Sequence, residues 1–163
     1  MDAIDRLAMN ARLHYLGSAA RIVDPVQKLA VLTCMDARID VSGLLGLRPG
    51  DAHVIRNAGG RATDDVRRAL AVSQVFGTRE IMVIHHTDCV MGRFTQTQLA
   101  ERIAAGSGHR FDEHLGVFEN PIEAIADDVQ RLRSDVHLAY REKIRGFMYD
   151  LSANTLTEVQ VHG

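Results

Sequence analysis

The sequence lacks the features that mark membrane, secreted and nucleic-acid-binding proteins. No apolar run in its 163 residues reaches the roughly 18 that a transmembrane helix needs, so no membrane span is predicted. No basic block is longer than Arg67-Arg68, and the net charge is −2, which argues against a nucleic-acid partner or an anionic membrane. The first residues, MDAIDRLAMN, are charged early and contain no apolar signal segment, so we expect a cytoplasmic protein.

Cysteine is also scarce, since the chain contains only Cys34 and Cys89. A disulfide is not expected in a cytoplasmic chain of this size. Two buried inert thiols, two metal ligands or one reactive thiol therefore remain as interpretations. The length suits one domain with a real hydrophobic core, and we expect a single domain over residues 1–163.

Short apolar runs alternate with amphipathic segments, which is typical of an α/β fold. We predict a mainly parallel central sheet flanked by helices, because buried strands of such sheets are apolar throughout. The predicted strands are 28–33, 52–56, 80–85, 146–151 and 156–161, and the last two form a C-terminal hairpin around Asn154. The predicted helices are 41–47, 63–76, 95–105 and 121–132, with a loop over 106–120 and an amphipathic N-terminal helical arm over 1–24.

Both cysteines follow predicted buried strands, and ligands of open parallel sheets bind at the carboxyl ends of strands. The i, i+3 spacing in His86-Thr-Asp-Cys89 can place an imidazole nitrogen and a thiolate on one ion. Zinc takes such ligands with tetrahedral geometry, and Cys34 arrives from another strand end as a third. Three protein ligands leave a fourth position, as in catalytic zinc sites. Taken alone, H-x-x-C is weak, because it also describes a turn with a packed thiol.

The segment Cys34-Met-Asp-Ala-Arg38 places a carboxylate and a guanidinium beside the first thiol. If the segment stays extended, Cys34, Asp36 and Arg38 point to one side. A carboxylate beside zinc tends to ligate it unless something holds it away, and arginine can hold it by a bidentate ion pair. We therefore interpret Asp36 as a gate that Arg38 controls; the alternative is a surface ion pair of little energetic value. A phosphatase loop is excluded, because it needs arginine where Asp40 stands.

Three motifs together resemble the β-class carbonic anhydrase family: Cys34-Met-Asp-Ala-Arg38, Val54-Ile-Arg-Asn-Ala-Gly-Gly60 and His86-Thr-Asp-Cys89. The motifs CMDAR and HHTDC resemble those of a compact bacterial and archaeal branch of this family, which also includes hydrolases of carbonyl sulfide and carbon disulfide. The resemblance implies a homodimer or higher homo-oligomer, with the N-terminal arm embracing the partner. It also implies one zinc ion per chain held by Cys34, His86 and Cys89, with Asp36 and Arg38 as the catalytic dyad and Asp36 as a ligand when the site is closed.

The resemblance further implies a lyase, carbonate dehydratase, that acts on a small molecule. On this hypothesis zinc lowers the pKa of its water from about 15.7 to near 7, and zinc-bound hydroxide, oriented by Asp36, hydrates carbon dioxide to bicarbonate. His85, Asp88 and His53 are candidate proton shuttles, although His85 also fits a packed strand end. The alternatives are a carbonyl sulfide or carbon disulfide hydrolase and a non-catalytic zinc-binding protein with a closed site. A nucleotide-binding α/β domain is a further alternative. It needs a glycine-rich phosphate loop between a strand and a helix, and the turn at 57–60 is too short to be one.

The turns around the predicted site depart from the family in one place. The residue after the second cysteine is usually glycine, whose backbone approaches the substrate, and here it is the β-branched Val90. The change is either harmless or a sign of a reshaped pocket. Gly59, Gly60 and Val90 are the candidate substrate-binding residues, while Arg56 and Asn57 either shape the site or belong to a structural turn.

Overall fold

One sheet forms the centre of the structure, and helices follow most of its strands. The computed structural model describes residues 3–4, 7–8 and 23–161. Its strands are β1 (Leu29–Cys34), β2 (Ala52–Asn57), β3 (Glu80–His86), β4 (Ile144–Asp150) and β5 (Thr155–Val159). From residue 23 onward its helices are α1 (Val41–Leu45), α2 (Asp64–Val75), α3 (Gln96–Ser107) and α4 (Pro121–Arg133), and single 3-10 turns cover Ala58–Gly60 and Val90–Gly92.

The strands lie in the order β2-β1-β3-β4-β5. β1 pairs in parallel with β2 and with β3, and β3 pairs in parallel with β4. β5 returns antiparallel along β4, after a turn that ends at Asn154, whose φ of 53° is left-handed. The predicted α/β fold with a mainly parallel sheet and a C-terminal hairpin is therefore confirmed.

β1 is the central strand of the parallel part, and its sequence shows why. Ala30, Val31 and Leu32 are fully buried, because neighbouring strands pair on both edges of β1 and side chains pack on both of its faces. An apolar run without alternation is what such a strand needs. β1 ends at Cys34 and β3 ends at His86, each one residue beyond the predicted strand. Two of the predicted metal ligands are thus the terminal residues of paired strands.

Local capping signals set where the longer helices begin. Thr63 caps α2 through its side chain, Thr95 caps α3 in a capping box, and the side chain of Asn120 caps α4. These starts agree with the predicted ones within one residue. α1 is shorter than predicted, because Gly46 takes a left-handed φ of 66° and ends the helix at Leu45.

The two faces of the sheet carry separate hydrophobic cores. α2 and α4 cover one face, and α1, Leu99 of α3 and residues from the loops cover the other. Both cysteines belong to the second core, so the predicted metal ligands lie on the face opposite α2 and α4. The first core includes Leu32, Leu70, Ile81, Ile125, Val129 and Ile144, and the second includes Val31, Ile39, Ile84 and Tyr149 with Cys34 and Cys89.

The predicted N-terminal arm over 1–24 lies almost entirely outside the described residues. Residues 3–4 and 7–8 are helical, and the side chains of Ile4 and Leu7 are exposed. The amphipathic arm therefore stays a prediction, as does the single domain over 1–163. Among the residues that the structure describes, no helix is long and apolar enough to cross a membrane.

Gly60 joins the turn after β2 to the ends of β1 and β3. Its φ is +69°, and a Cβ atom built on it would lie 2.9 Å from the backbone nitrogen of Cys34 and 2.9 Å from the carbonyl carbon of Thr33. The carbonyl oxygen of Ile84 would be 3.2 Å away. These neighbours are backbone atoms of a buried sheet, so they cannot move aside as a flexible side chain would. Only glycine fits this contact.

We expect Gly60→Ala to lower the free energy of unfolding by about 2–4 kcal/mol, because it combines a left-handed φ with an overpacked contact. Gly46→Ala is the matched control, since Gly46 has a φ of +66° but nothing within 4 Å of its Cβ position. That control should lose only about 1–2 kcal/mol from backbone strain. Urea denaturation of both variants measures the difference. Equal losses would show that Gly60 is not packed against the strand ends.

Candidate metal centre

Cys34, His86 and Cys89 converge at the carboxyl ends of β1 and β3. All three are buried, and one ligand atom from each lies within 4.8 Å of the others. The two Sγ atoms are 3.9 Å apart. A tetrahedral zinc ion with Zn–S bonds of about 2.3 Å separates two sulfur ligands by about 3.8 Å, so the spacing fits such an ion. The parallel pairing of β1 with β3 brings the ends of these strands together.

The orientation of His86 leaves one ring nitrogen free for an ion. Its Nδ1 lies 2.9 Å from the carbonyl oxygen of Thr87, an acceptor, so Nδ1 carries the proton. Its Nε2 then holds a lone pair, and it is buried without a hydrogen-bond partner in the described part of the chain. Buried polar atoms rarely go unpaired, and the ring-to-carbonyl bond is the usual way in which a metal-binding histidine is fixed. The residues present therefore fit a metal ion.

The two thiols are electrostatically linked. The neighbouring thiol of Cys89 lowers the pKa of Cys34, whereas the same contact with Cys34 raises the pKa of Cys89. Backbone amides of Asp36 and Gly59 also favour the thiolate of Cys34. Two thiolates this close repel each other unless a cation lies between them, and cysteine binds metal as the thiolate. As thiolates, the two cysteines could therefore serve together as ligands of one metal ion.

Asp36 lies beside this cluster and is held by Arg38. Arg38 donates from Nη2 to Asp36 Oδ2 at 2.7 Å, from Nε to Oδ1 at 3.0 Å, and from its backbone nitrogen to Oδ1 at 2.9 Å. The guanidinium holds the pKa of Asp36 well below its usual range, so the carboxylate stays ionised. Asp36 Oδ2 is 3.8 Å from His86 Nε2. The predicted pair thus exists at the edge of the cluster.

The premise that the chain stays extended from Cys34 to Arg38 is wrong. β1 ends at Cys34, and the chain turns at 37–38, where the backbone nitrogen of Ile39 donates to the carbonyl oxygen of Asp36 at 3.1 Å. The turn lets the backbone and the side chain of Arg38 both bind one carboxylate. Asp36 and Arg38 therefore meet through a turn and not through the alternation of a strand.

Arg56 fastens this turn to β2, a role that the sequence left open. Its Nη2 donates to the carbonyl oxygen of Asp36 at 2.7 Å, its Nε to that of Cys34 at 3.0 Å, and its Nη1 to that of Ile39 at 3.2 Å. One planar guanidinium thus binds three carbonyl groups of the segment that carries the first thiol and the gate. Asn57 is structural, since its side chain closes the following turn by bonding both backbone polar groups of Arg61 at 2.8 Å.

The candidate substrate-binding residues surround the cluster at different depths. Gly60 is buried against Cys34, and a Cβ on Gly59 would lie 3.2 Å from Cγ of Met91. Val90 begins the 3-10 turn after Cys89, and its side chain is about half-exposed. Among the described non-glycine residues only Lys28, Asp88 and Asn154 have a positive φ, so position 90 does not need glycine's conformational freedom. Valine therefore fits the backbone at position 90, and any effect of the change from glycine depends on the shape of its half-exposed side chain.

The three candidate proton shuttles occupy different places. His85 is buried on the opposite face of the sheet, with its Nε2 3.1 Å from Oδ2 of Asp128 on α4. His53 lies near the start of β2, where its Nδ1 is 2.7 Å from Ser73 Oγ. Neither faces the cluster, which lies at the strand ends. Asp88 is half-exposed and accepts a hydrogen bond from Arg38 at 3.0 Å. These two side chains lie on the solvent side of the cluster, which we call the mouth of the site.

Sequence reasoning missed two further residues that bind candidate proton shuttles. Arg93 donates to the carboxylate of Asp88 at the mouth. Asp128 accepts from the backbone nitrogen of Ala62 at 3.0 Å, in addition to its contact with His85. The contacts of Asp128 join residues 43 and 66 positions apart in the sequence, which only the folded chain brings together. Arg93 meets Asp88, five residues earlier, through the turn between them.

Comparisons with known proteins agree with this geometry. The profile of the carbonic anhydrase family matches residues 29–145, and the chain belongs to the β-carbonic anhydrase family. It is 40% identical over 136 residues to beta-carbonic anhydrase 1 of Mycobacterium tuberculosis, covering 83% of each chain. It is 54% identical over 134 residues to a carbon disulfide hydrolase of Saccharolobus solfataricus, covering 82% of this chain and 60% of that one. The structure of a carbonic anhydrase from Streptococcus mutans superposes with a TM-score of 0.90, at 36% identity, covering 98% and 99% of the two chains.

We expect Arg56→Ala to lower the free energy of unfolding by about 1–2 kcal/mol and to speed amide hydrogen exchange over 35–39, because three carbonyl groups lose a charged donor. Arg56→Lys should recover little, since a single ammonium cannot match a planar fork. Arg68→Ala is the matched control, because it removes an exposed arginine bonded to the side chain of Asp65 on α2. Exchange over 35–39 that is as slow in Arg56→Ala as in Arg68→Ala would contradict the role of Arg56.

Proposed function

We propose that this chain is a zinc enzyme that hydrates carbon dioxide to bicarbonate, with one zinc ion held by Cys34, His86 and Cys89. The observation that carries the proposal is the buried triad of ligand atoms within 4.8 Å, with a carboxylate held beside it by an arginine. Structural zinc sites are normally closed by four protein ligands, whereas three leave a coordination position for chemistry. Membership of the β-carbonic anhydrase family supports the same reaction.

A zinc ion bound there would supply Lewis acidity, which lowers the pKa of a coordinated water from about 15.7 to near 7. Asp36 provides an acceptor that cannot donate, because Arg38 keeps its carboxylate ionised. Its Oδ2 is close enough to His86 Nε2 to accept a hydrogen bond from an attacking oxygen at the triad. In that position Asp36 holds the proton of the oxygen and directs its lone pair toward the substrate carbon. Gly59, Gly60 and Val90 shape the space in which the substrate lies.

Each hydration of carbon dioxide also releases one proton, which must leave the site. His85 and His53 are turned away from the triad, so neither can relay it directly. Asp88 is at the mouth, but Arg93 and then Arg38 lower its pKa, so it is a poor proton acceptor near neutral pH. We therefore assign the transfer to water or buffer at the mouth of the site.

Hydrolysis of carbon disulfide or carbonyl sulfide is the second candidate function. These molecules are linear like carbon dioxide and offer the same electrophilic carbon, so the same triad and carboxylate suit them. Two observations favour this candidate: the 54% identity to a carbon disulfide hydrolase, and the half-exposed apolar side chain of Val90 directly after Cys89. A non-catalytic, closed site is less well supported, because three hydrogen bonds from Arg38 hold Asp36.

Assembly and location belong to the same proposal. We propose a homodimer or higher homo-oligomer in the cytoplasm, acting on a small molecule without a nucleic-acid or membrane partner. The support is the family and a chain with mixed charges and a net charge of −2.

We expect Cys34→Ser, His86→Ala and Cys89→Ser each to lose most of the bound zinc, because each removes one of three ligands. His85→Gln is the matched control, since this neighbouring histidine faces α4 and the variant should keep its zinc. Asp36→Asn should keep zinc and lose turnover on the order of a hundredfold, because the amide orients the attacking oxygen poorly. Elemental analysis and stopped-flow hydration measure the two quantities. Full zinc retention in all three ligand variants would reject the metal centre.

We expect Val90→Gly to lower the turnover of carbon disulfide relative to carbon dioxide by about tenfold, because the larger sulfur substrate loses an apolar contact. Release of hydrogen sulfide and formation of bicarbonate, measured on one sample, give the ratio. Val136→Gly is the control, since Val136 is an exposed valine in the turn after α4. Equal changes of both rates in Val90→Gly would show that position 90 does not select between substrates.

A further inference from the structure

The guanidinium of Arg38 is bound on two sides, and only one of them faces Asp36. On the other side its Nη1 donates to Oδ2 of Asp88 at 3.0 Å, and its Nη2 donates to the carbonyl oxygen of Asp88 at 3.0 Å. Arg93 donates to Oδ1 of the same aspartate. The four side chains therefore form a row across the mouth of the metal centre, Asp36–Arg38–Asp88–Arg93, with alternating charge.

The position of Arg38 decides where Asp36 lies. Asp36 Oδ2 is 3.8 Å from His86 Nε2, while the ligand atoms of the triad lie up to 4.8 Å from one another. A small rotation would thus bring Asp36 onto an ion bound by the triad and close its remaining position. The hydrogen bonds from Arg38 oppose that rotation, so anything that holds Arg38 in place also holds Asp36 away from the ion.

The backbone of Asp88 is shaped for this contact. Its φ of 59° lies in the left-handed region, which aspartate, asparagine and glycine tolerate better than other residues. In this conformation both its carbonyl group and its carboxylate reach Arg38 across the mouth. Arg93 occupies the second carboxylate oxygen, so Asp88 is itself anchored.

We propose that Asp88, anchored by Arg93, is a positioning residue that keeps Arg38 paired with Asp36 and so keeps the metal centre open. The inference rests on the proposed function, since it concerns the same triad. Asp88 binds Nη1 and Nη2 of Arg38, while Nε and Nη2 bind Asp36, so the two aspartates largely use different edges of the guanidinium. Asp88 therefore supports the pair and does not compete with it. Arg38, Asp88 and Arg93 are each about half-exposed, so loss of the contacts among them should change rates severalfold and not abolish them.

The test compares Asp88→Gly with Asp88→Asn in the zinc-loaded protein. Asp88→Gly removes the carboxylate but keeps a left-handed backbone without strain. Asp36 should then turn onto the ion, so kcat should fall about three- to tenfold and zinc release to excess chelator should slow by a similar factor. A purely structural loss would speed release. Asp88→Asn keeps an acceptor and tolerates the same backbone, so both rates should lie closer to those of the wild type.

Three further variants make the result decisive. Arg93→Ala should also slow zinc release, as Asp88→Gly does. Agreement between the two variants would exclude misfolding of the loop next to Cys89 as the cause of the Asp88→Gly result. Adding Asp36→Asn to Asp88→Gly should abolish the slowing, because the slowing needs the carboxylate of Asp36. Arg68→Ala, which removes an exposed arginine–aspartate pair on α2, should leave kcat and release unchanged.

Release that is unchanged or faster in both Asp88→Gly and Arg93→Ala would overturn the positioning role and leave the proposed function intact. Slowing that persists in the double variant would overturn it as well. A wild-type protein that takes up no zinc would instead overturn the proposed function, and the positioning role with it.

Discussion

The parallel pairing of β1 with β3 is the constraint on which the site depends. It brings the last residue of each strand, Cys34 and His86, to one edge of the sheet, and Cys89 follows three residues later. The resulting triad places two sulfur atoms 3.9 Å apart beside a buried ring nitrogen. Two thiolates at this spacing repel each other unless a cation lies between them, so the topology of the sheet assembles a group that is suited to a metal ion.

Arginine side chains organise the polar surroundings of the triad. Arg56 binds three carbonyl groups of the turn after β1, and Arg38 binds the carboxylate of Asp36. A planar guanidinium suits both tasks, since it offers several donors in fixed directions. The first arginine holds the backbone of the turn, and the second holds the carboxylate beside the triad.

Local signals in the sequence predicted much of the fold. The apolar runs marked the buried strands, and the predicted helix starts at 63, 95 and 121 lie within one residue of the observed ones, because signals for helix starts act within one turn of the chain. The convergence of the three candidate metal ligands was also predictable, since they lie at or just after the ends of strands that a parallel sheet aligns. The end of α1 was placed two residues too late, because Pro49-Gly50 was the more conspicuous turn signal and the left-handed Gly46 ended the helix earlier.

The sequence by itself determined the α/β class, the candidate ligands and the pairing of Asp36 with Arg38, because these follow from patterns within a few residues. Only the tertiary structure decided that Arg56 binds the turn after β1, that His85 faces α4, and that Asp88 with Arg93 continues the row begun by Asp36. Each of these contacts joins a side chain to a residue that the sheet or a loop brings beside it. A guanidinium or imidazole reaches several partners, and the choice among them depends on distances that exist only once the strands have paired.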